Sequence, residues 1–377
     1  MSVAVFAADG DLRNDHPDTY VVQKGDTLWD IAGRFLNHPW LWPEIWQANP
    51  QVQNPHLIYP GDVLSLVYLD GRPIVSVQEG GFGPRIRREE REAINTIPLG
   101  EVEPFLEKVC ILGEDEANSL PYVLAIEEDR LRGSEGQLVY VRGLDAPVGT
   151  RVVILRPQSV FYDVPDNFPW DSEPKHVERY DWHNERGHTL TGFWDNIAVN
   201  HWKHRKSEYL GHEAYEIAQG EVLRGGDPTT VLVQYGDQEV KESDLVVVGG
   251  IEPFDLTFMP RPPAQVPENM RVVALADALH AVGRHQVIAL SKGGRDGVEN
   301  GQVFSIFRPG AVVRDDTAFA DDDLRTVFSD DKAHVQLPEE YVGHVMIFRT
   351  FEKMSYGLVM DGIRPVYLYD TLHEPVR

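Results

Sequence analysis

Apolar and polar positions change period repeatedly between Thr19 and Leu69. Tyr20, Val21 and Val22 are β-formers that predict a strand, and Gly25 supplies the permissive backbone a sharp exit needs. Behind it, Leu28, Ile31, Ala32, Phe35 and Leu36 fall at i, i+3, i+4, i+7 and i+8, one apolar face of a helix. Thr27 and Asp30 stand at capping-box spacing, with Asp in place of the usual Glu or Gln. Pro43 suits the first turn of a second helix through Glu44, Ile45, Trp46, Gln47 and Ala48, which Asn49-Pro50 stops. Pro60-Gly61 predicts a turn, and Val63, Leu64 and Leu66 a closing strand. The result is a βααβ module over 19–69. Its core is thin, so Trp29 and Trp46 are expected inside it; Trp40 and Trp42 fit either a stacking surface or a tight turn packed by aromatics.

After Leu69 the pattern loosens. Residues 70–98, rich in Gly and charge, read as a linker with a short paired strand at Ile74–Val77. From Leu99 the chain is β-dominated, with short alternating runs such as QLVYVRG and TVLVQYG separated by Gly, Asp and Pro turns. Helix candidates are few, Glu103–Val109 and Arg271–Leu279. Two matches predict an internal duplication. GTRVVILRP, ending at Pro157, resembles GQVFSIFRP, ending at Pro309, and Glu208–His212 (EYLGH) resembles Glu340–His344 (EYVGH). The expected fold class is thus α+β, the βααβ module followed by two duplicated antiparallel β units. The expected order is a tail over 1–18, the module, the linker, a first unit over 99–258, a Pro-rich joint over 259–268 and a second unit over 269–377. Each unit carries an insertion. That at 161–207 holds Trp170, Trp182, Trp194 and Trp202, as a partner surface or a self-packed loop; that at 311–332 is acidic and reads as a solvated loop.

Charge narrows the partners. A formal charge of -25, from 60 acidic and 35 basic residues, argues against nucleic acid. The short cluster Arg85, Arg87, Arg88 and Arg91 is interleaved with Glu89, Glu90 and Glu92, as in a solvated linker. No apolar run is long enough for a membrane span. The single Cys110 excludes an internal disulfide, and its apolar neighbours suggest a buried thiol rather than a nucleophile. His176, His183, His188, His201, His204 and His212 cluster without an HExxH or His-x-His spacing, so they read as surface histidines and no metal or other cofactor is expected. No enzyme signature stands out, and the chain is expected to be non-catalytic. The alternative is a hydrolase with an unrecognised carboxylate or His site.

The run from YVVQKGDTLWDIAGRFL to NPHLIYPGDVLSL resembles the LysM module, which binds N-acetylglucosamine-containing polymers such as peptidoglycan. By position, that resemblance assigns glycan binding to two loops: Gly25, Asp26, Thr27 and Leu28, then Asn54, Pro55, His56, Leu57, Ile58 and Tyr59. Backbone amides and carbonyls there would pair with N-acetyl groups while apolar side chains cover sugar faces. FLNHPWLWPEIWQANPQVQNPHLIYPGDVLSLVYLDGRP, then AINTIPLGEVEPFL, then LPYVLAIEEDRLRGSEGQLVYVRG, is similar to the type IV pilus secretin-associated protein of Gram-negative bacteria. This second resemblance implies a periplasmic scaffold without catalysis that binds peptidoglycan and the outer-membrane secretin, in a homo-oligomeric ring around it. Val3–Ala8 (VAVFAA) reads as the end of a secretory signal, in keeping with export.

Overall fold

The computed structural model describes residues 12–43, 58–69, 72–78, 97–163, 194–197, 208–249, 258–276, 278, 280–315, 317 and 334–376. Within them, one repeated turn sets much of the architecture. Its third residue takes a positive φ, and the side-chain oxygen of its fourth accepts the N–H of its first. Tyr59–Asp62, Ser134–Gln137, Lys241–Asp244, Gly283–Gln286, Glu299–Gln302 and Tyr367–Asp370 all form it, with N···O distances of 2.7–3.1 Å. Each delivers the chain into a strand, whereas Gln23–Asp26 forms the same turn ahead of a helix. A side-chain oxygen at the fourth position satisfies an N–H that the reversal would otherwise strand, which is why Asp or Gln recurs there.

The N-terminal module contains β1 (Thr19–Val21), α1 (Leu28–Phe35), a 3-10 turn (Pro39–Leu41), β2 (Val63–Leu69) and β3 (Arg72–Gln78). β2 lies between β1 and β3, antiparallel to both. Leu28, Ile31, Ala32, Phe35 and Leu36 are buried, the stripe expected of α1, and Trp29 is buried beside them. Trp40 and Trp42 are buried as well, at 1% and 0% exposure, so the tight aromatic turn is the reading that holds. The helix expected over Glu44–Ala48, with Trp46, lies outside the described residues. β3 occupies the expected linker and pairs Ile74 with Val67.

α2 (Leu99–Glu107), β4 (Val109–Leu112) and α3 (Glu114–Ser119) lead into the β region. β5 (Tyr122–Ile126), β6 (Leu138–Arg142), β7 (Arg151–Tyr162), β8 (Trp194–Ile197), β9 (Tyr209–Arg224), β10 (Thr229–Gly236) and β11 (Leu245–Val248) follow. Strand β10 pairs with both β6 and β9, and β11 with both β5 and β7. With the β5–β6 and β7–β9 pairs, six strands close into a ring. Val123, Val139, Val141, Val152, Ile154, Ile217, Val231 and Val246 fill its core, β-branched side chains that suit a pleated interior.

The remaining strands are β12 (Val272–Ala276), β13 (Val287–Leu290), β14 (Val303–Arg308), β15 (Val312–Arg314), β16 (His334–Gln336), β17 (Glu340–Thr350), β18 (Ser355–Gly362) and β19 (Thr371–His373). β12, β13, β18, β17, β14 and β19 are neighbours in that order. Hydrogen bonds of 2.9–3.0 Å from Val272 to Asp370, Tyr369 to Val272 and Leu372 to Met270 bring β19 back against β12. Taken in chain order, the ring strands of both units run first, second, fifth, fourth, third, sixth. Arg156 pairs with buried Asp244 in one ring at 2.7 Å, and Arg308 with buried Asp370 in the other at 3.4 Å.

Both insertions interrupt the hairpin between the third and fourth ring strands. The first contributes β8, which pairs with β12 of the second ring; the second holds β15, whose antiparallel partner β16 follows just beyond it. Three expectations need correction. Arg271–Leu279 is not a helix: Val272–Ala276 is buried on both faces, so the strand shows an unbroken apolar run instead of alternation. Phe161, placed in the first insertion, is a fully buried residue of β7. The two EY-x-GH segments also sit at different heights, because His212 lies opposite Val160, beyond Arg156, and His344 opposite Ser305, before Arg308.

The N-terminal module, α2 and the second ring share one apolar core. Phe105 of α2 meets Phe348 and Tyr356 edge-on, at 6.4 and 5.9 Å between centroids. The Arg349 guanidinium donates to Phe105 O and Leu106 O, placing a cation on the helix C-terminus. α2 begins at Leu99, earlier than expected, and Val109 already belongs to β4. Cys110 is half-buried on β4; burial pushes its thiol up to about 12, which fits the structural role expected of it.

Candidate glycan-binding site

The first loop grows out of β1. Gly25, exposed, takes φ +95°, and the Asp26 carboxylate accepts the Gln23 N–H at 2.8 Å and the Tyr20 hydroxyl at 2.8 Å. Burial, then the Asp26 hydrogen bond, raise the Tyr20 pKa, so the phenol stays a donor. The Arg34 guanidinium sits over the Tyr20 ring at 4.6 Å, tying α1 to β1. Thr27 is the N-cap of α1 and completes the box with Asp30. Leu28 follows at 0% exposure.

The second loop enters β2 through the same kind of turn. Tyr59 N–H donates to Asp62 Oδ2 at 3.0 Å, and Gly61 takes φ +96°. Ile58 is fully buried and Tyr59 half-buried. Gly61 N–H donates to Val22 O at 2.8 Å and Val22 N–H to Asp62 O at 2.9 Å. These two bonds pin the root of one loop against the root of the other.

Of the residues the sequence assigns to glycan contact, Gly25, Asp26, Thr27, Leu28, Ile58 and Tyr59 are thus gathered at the β1–β2 end of the module. Leu28 and Ile58 are wholly buried, main chain included, and support the two loops from beneath; Gly25 is exposed and offers only main chain. Asn54, Pro55, His56 and Leu57 lie outside the described residues. The site is therefore one of amides, carbonyls and short polar side chains, suited to a neutral, N-acetylated sugar. Sequence reading left out Asp30 as a support of the loop, although its capping-box spacing to Thr27 was the signal for it.

Among the histidines of the first insertion and its flank, only His212 is described; it is buried, which corrects the surface position expected of it, with Nδ1 3.2 Å from the Tyr209 hydroxyl. Among the described residues, no three His, Cys, Asp or Glu groups gather as a metal site, and no helix is long and apolar enough to cross a membrane.

The chain is similar to known proteins over part of its length. Over 60 residues the chain is 40% identical to the uncharacterized protein YqbP of Bacillus subtilis (strain 168), a span of 13% of this chain and 27% of that one. The chain thus covers about a quarter of the length of this relative. The LysM domain family matches residues 20–67, the stretch that holds α1 and most of β1 and β2. Residues 20–67 are therefore a LysM domain, a module of peptidoglycan and carbohydrate binding.

Proposed function

We propose that the chain is a non-catalytic, peptidoglycan-binding scaffold of the periplasm that anchors the type IV pilus secretin to the cell wall. The observation that carries the wall-binding part is the LysM domain with its two loop roots pinned together by Val22, Gly61 and Asp62. The glycan lies along Gly25–Leu28 and the loop that ends at Tyr59. The secretin part rests on the sequence resemblance that runs from Thr19 to about Arg156 and resumes from Gly211.

The two rings are copies of one ancestral unit in this reading. The shared strand order, the matching Arg156–Asp244 and Arg308–Asp370 pairs and the insertion at the same hairpin support that descent. Single LysM–glycan contacts are weak, so a ring of copies around an oligomeric secretin raises avidity without any new contact.

Co-sedimentation of the full chain with purified sacculi, with soluble muropeptides assayed in parallel, tests the wall-binding role. Binding without muropeptide release is expected. Release would overturn the non-catalytic reading in favour of a wall hydrolase, and failure to sediment would overturn the anchor. Retention of solubilised secretin on the immobilised chain tests the partner separately.

A further inference from the structure

The first glycan loop is held from outside its own domain. Thr27 N–H and hydroxyl donate to Asp30 Oδ2 at 3.2 and 2.7 Å, and Asp30 N–H returns a bond to Thr27 Oγ1 at 3.2 Å. The other carboxylate oxygen, Oδ1, accepts from the guanidinium of Arg284, 254 positions along the chain in the turn between β12 and β13. One carboxylate thus shapes the loop with one oxygen and meets the second ring with the other.

Arg284 is itself a fixed anchor. Its Nε donates to Met360 O at 2.9 Å. Its turn is locked by Gly283 N–H to Gln286 Oε1 and His285 N–H to Val359 O, both 2.7 Å. A barrel corner therefore presents a cation at a set position, where a flexible side chain would otherwise lose much of its grip to entropy.

The local charges agree. Burial works to raise the Asp30 pKa, but the Thr27 hydrogen bonds and the Arg284 charge outweigh it and hold the carboxyl below its ordinary value. Burial, then the Arg284 charge, lower His285, against the opposing pull of Asp30 and Glu101. Arg284 is thus the cation that meets Asp30 at neutral pH.

We propose that Arg284 is a positioning residue for glycan binding: it holds Asp30, Asp30 holds Thr27, and the Gly25–Leu28 loop keeps its binding shape. The inference rests on the glycan-binding reading given above. It makes the affinity of the LysM domain a property of the whole chain, because the second ring sets the form of the site.

The full-length chain and its Arg284→Met and Arg284→Lys variants are titrated with a hexamer of N-acetylglucosamine. Amide exchange is followed at Asp30 and Ile31, whose N–H groups bond to Thr27. Arg284→Met is expected to exchange faster at these amides and to bind the hexamer about fivefold more weakly. Arg284→Lys is expected to recover most of both. Unchanged affinity in Arg284→Met overturns the proposal whatever the exchange shows. Weaker binding with exchange raised equally throughout β2 and the second ring marks a merely structural contact and also overturns it. A wild-type chain that does not bind the hexamer removes the glycan reading itself, and the inference falls with it.

Discussion

Tyr356 of the second ring donates its hydroxyl to Glu213 Oε1 of the first at 2.7 Å, and both residues are at 0% exposure. Burial, then the Glu213 charge, raise the Tyr356 pKa well above the ordinary phenol value, so the group remains a donor. Tyr356→Phe keeps the ring contacts with Phe105 and Phe351 and removes only the hydroxyl. It is expected to lower stability by about 1–3 kcal/mol, the cost of taking a donor from a buried carboxylate. Urea unfolding measures it, and an unchanged midpoint would mean the carboxylate is satisfied without Tyr356.

Gly211 and Gly343 occupy the same place in the two EY-x-GH segments, and neither has room for a Cβ. At Gly343 the added atom would lie 2.2 Å from the main-chain oxygen of Asp361; at Gly211, 2.2 Å from the Ile111 side chain. Neither obstacle steps aside: one is a backbone oxygen in a paired strand, the other the γ-methyl of a β-branched side chain, and Gly211 also holds φ +157°. Gly343→Ala and Gly211→Ala are therefore each expected to cost about 3 kcal/mol. Thermal unfolding of both variants checks this.

Asp370 gives a signed pH dependence. Burial pushes its carboxyl from 3.8 to about 6, against the opposing Tyr367 N–H and Arg308. A raised folded pKa stabilises while the group is protonated, so the contribution is complete below about pH 4 and lost as pH rises through 6. The interval corresponds to about 3 kcal/mol. Asp370→Asn keeps an acceptor for Tyr367 but does not titrate. The stability of wild type relative to this variant should fall between pH 4 and pH 6.5, as read by denaturant unfolding at each pH.

Thr27→Ala removes the hydroxyl that caps α1 and donates to Asp30. The expected loss is about 1 kcal/mol in the unfolding of the N-terminal module, with weaker retention on sacculi. Equal retention would place the glycan contact away from this loop.

What sequence reading recovered was local. The α1 stripe, the Thr27–Asp30 box and the Pro60-Gly61 turn depend on residues at most eight apart, and the folded chain keeps them. The RP matches at Arg156 and Arg308 marked residues with corresponding ion pairs, but their acidic partners lie 88 and 62 positions away, in turns whose sequences do not show which arginine they meet. β12 was misread because burial on both faces erases alternation. The support of the glycan loop by Arg284 was beyond reach for a simpler reason. Asp30 is visibly a capping residue, and nothing in its neighbourhood shows that its second oxygen is claimed by a distant turn.

The closure of each ring between its first and last strands has a mechanical consequence. Tension that enters the first ring through β5 reaches β11 directly across Val123–Asp244, Ser243–Val123 and Val246–Pro121, and the second ring repeats this at β12 and β19. A pull applied between the entry and exit strands of a ring thus loads its seam first, because the seam joins those two strands side by side.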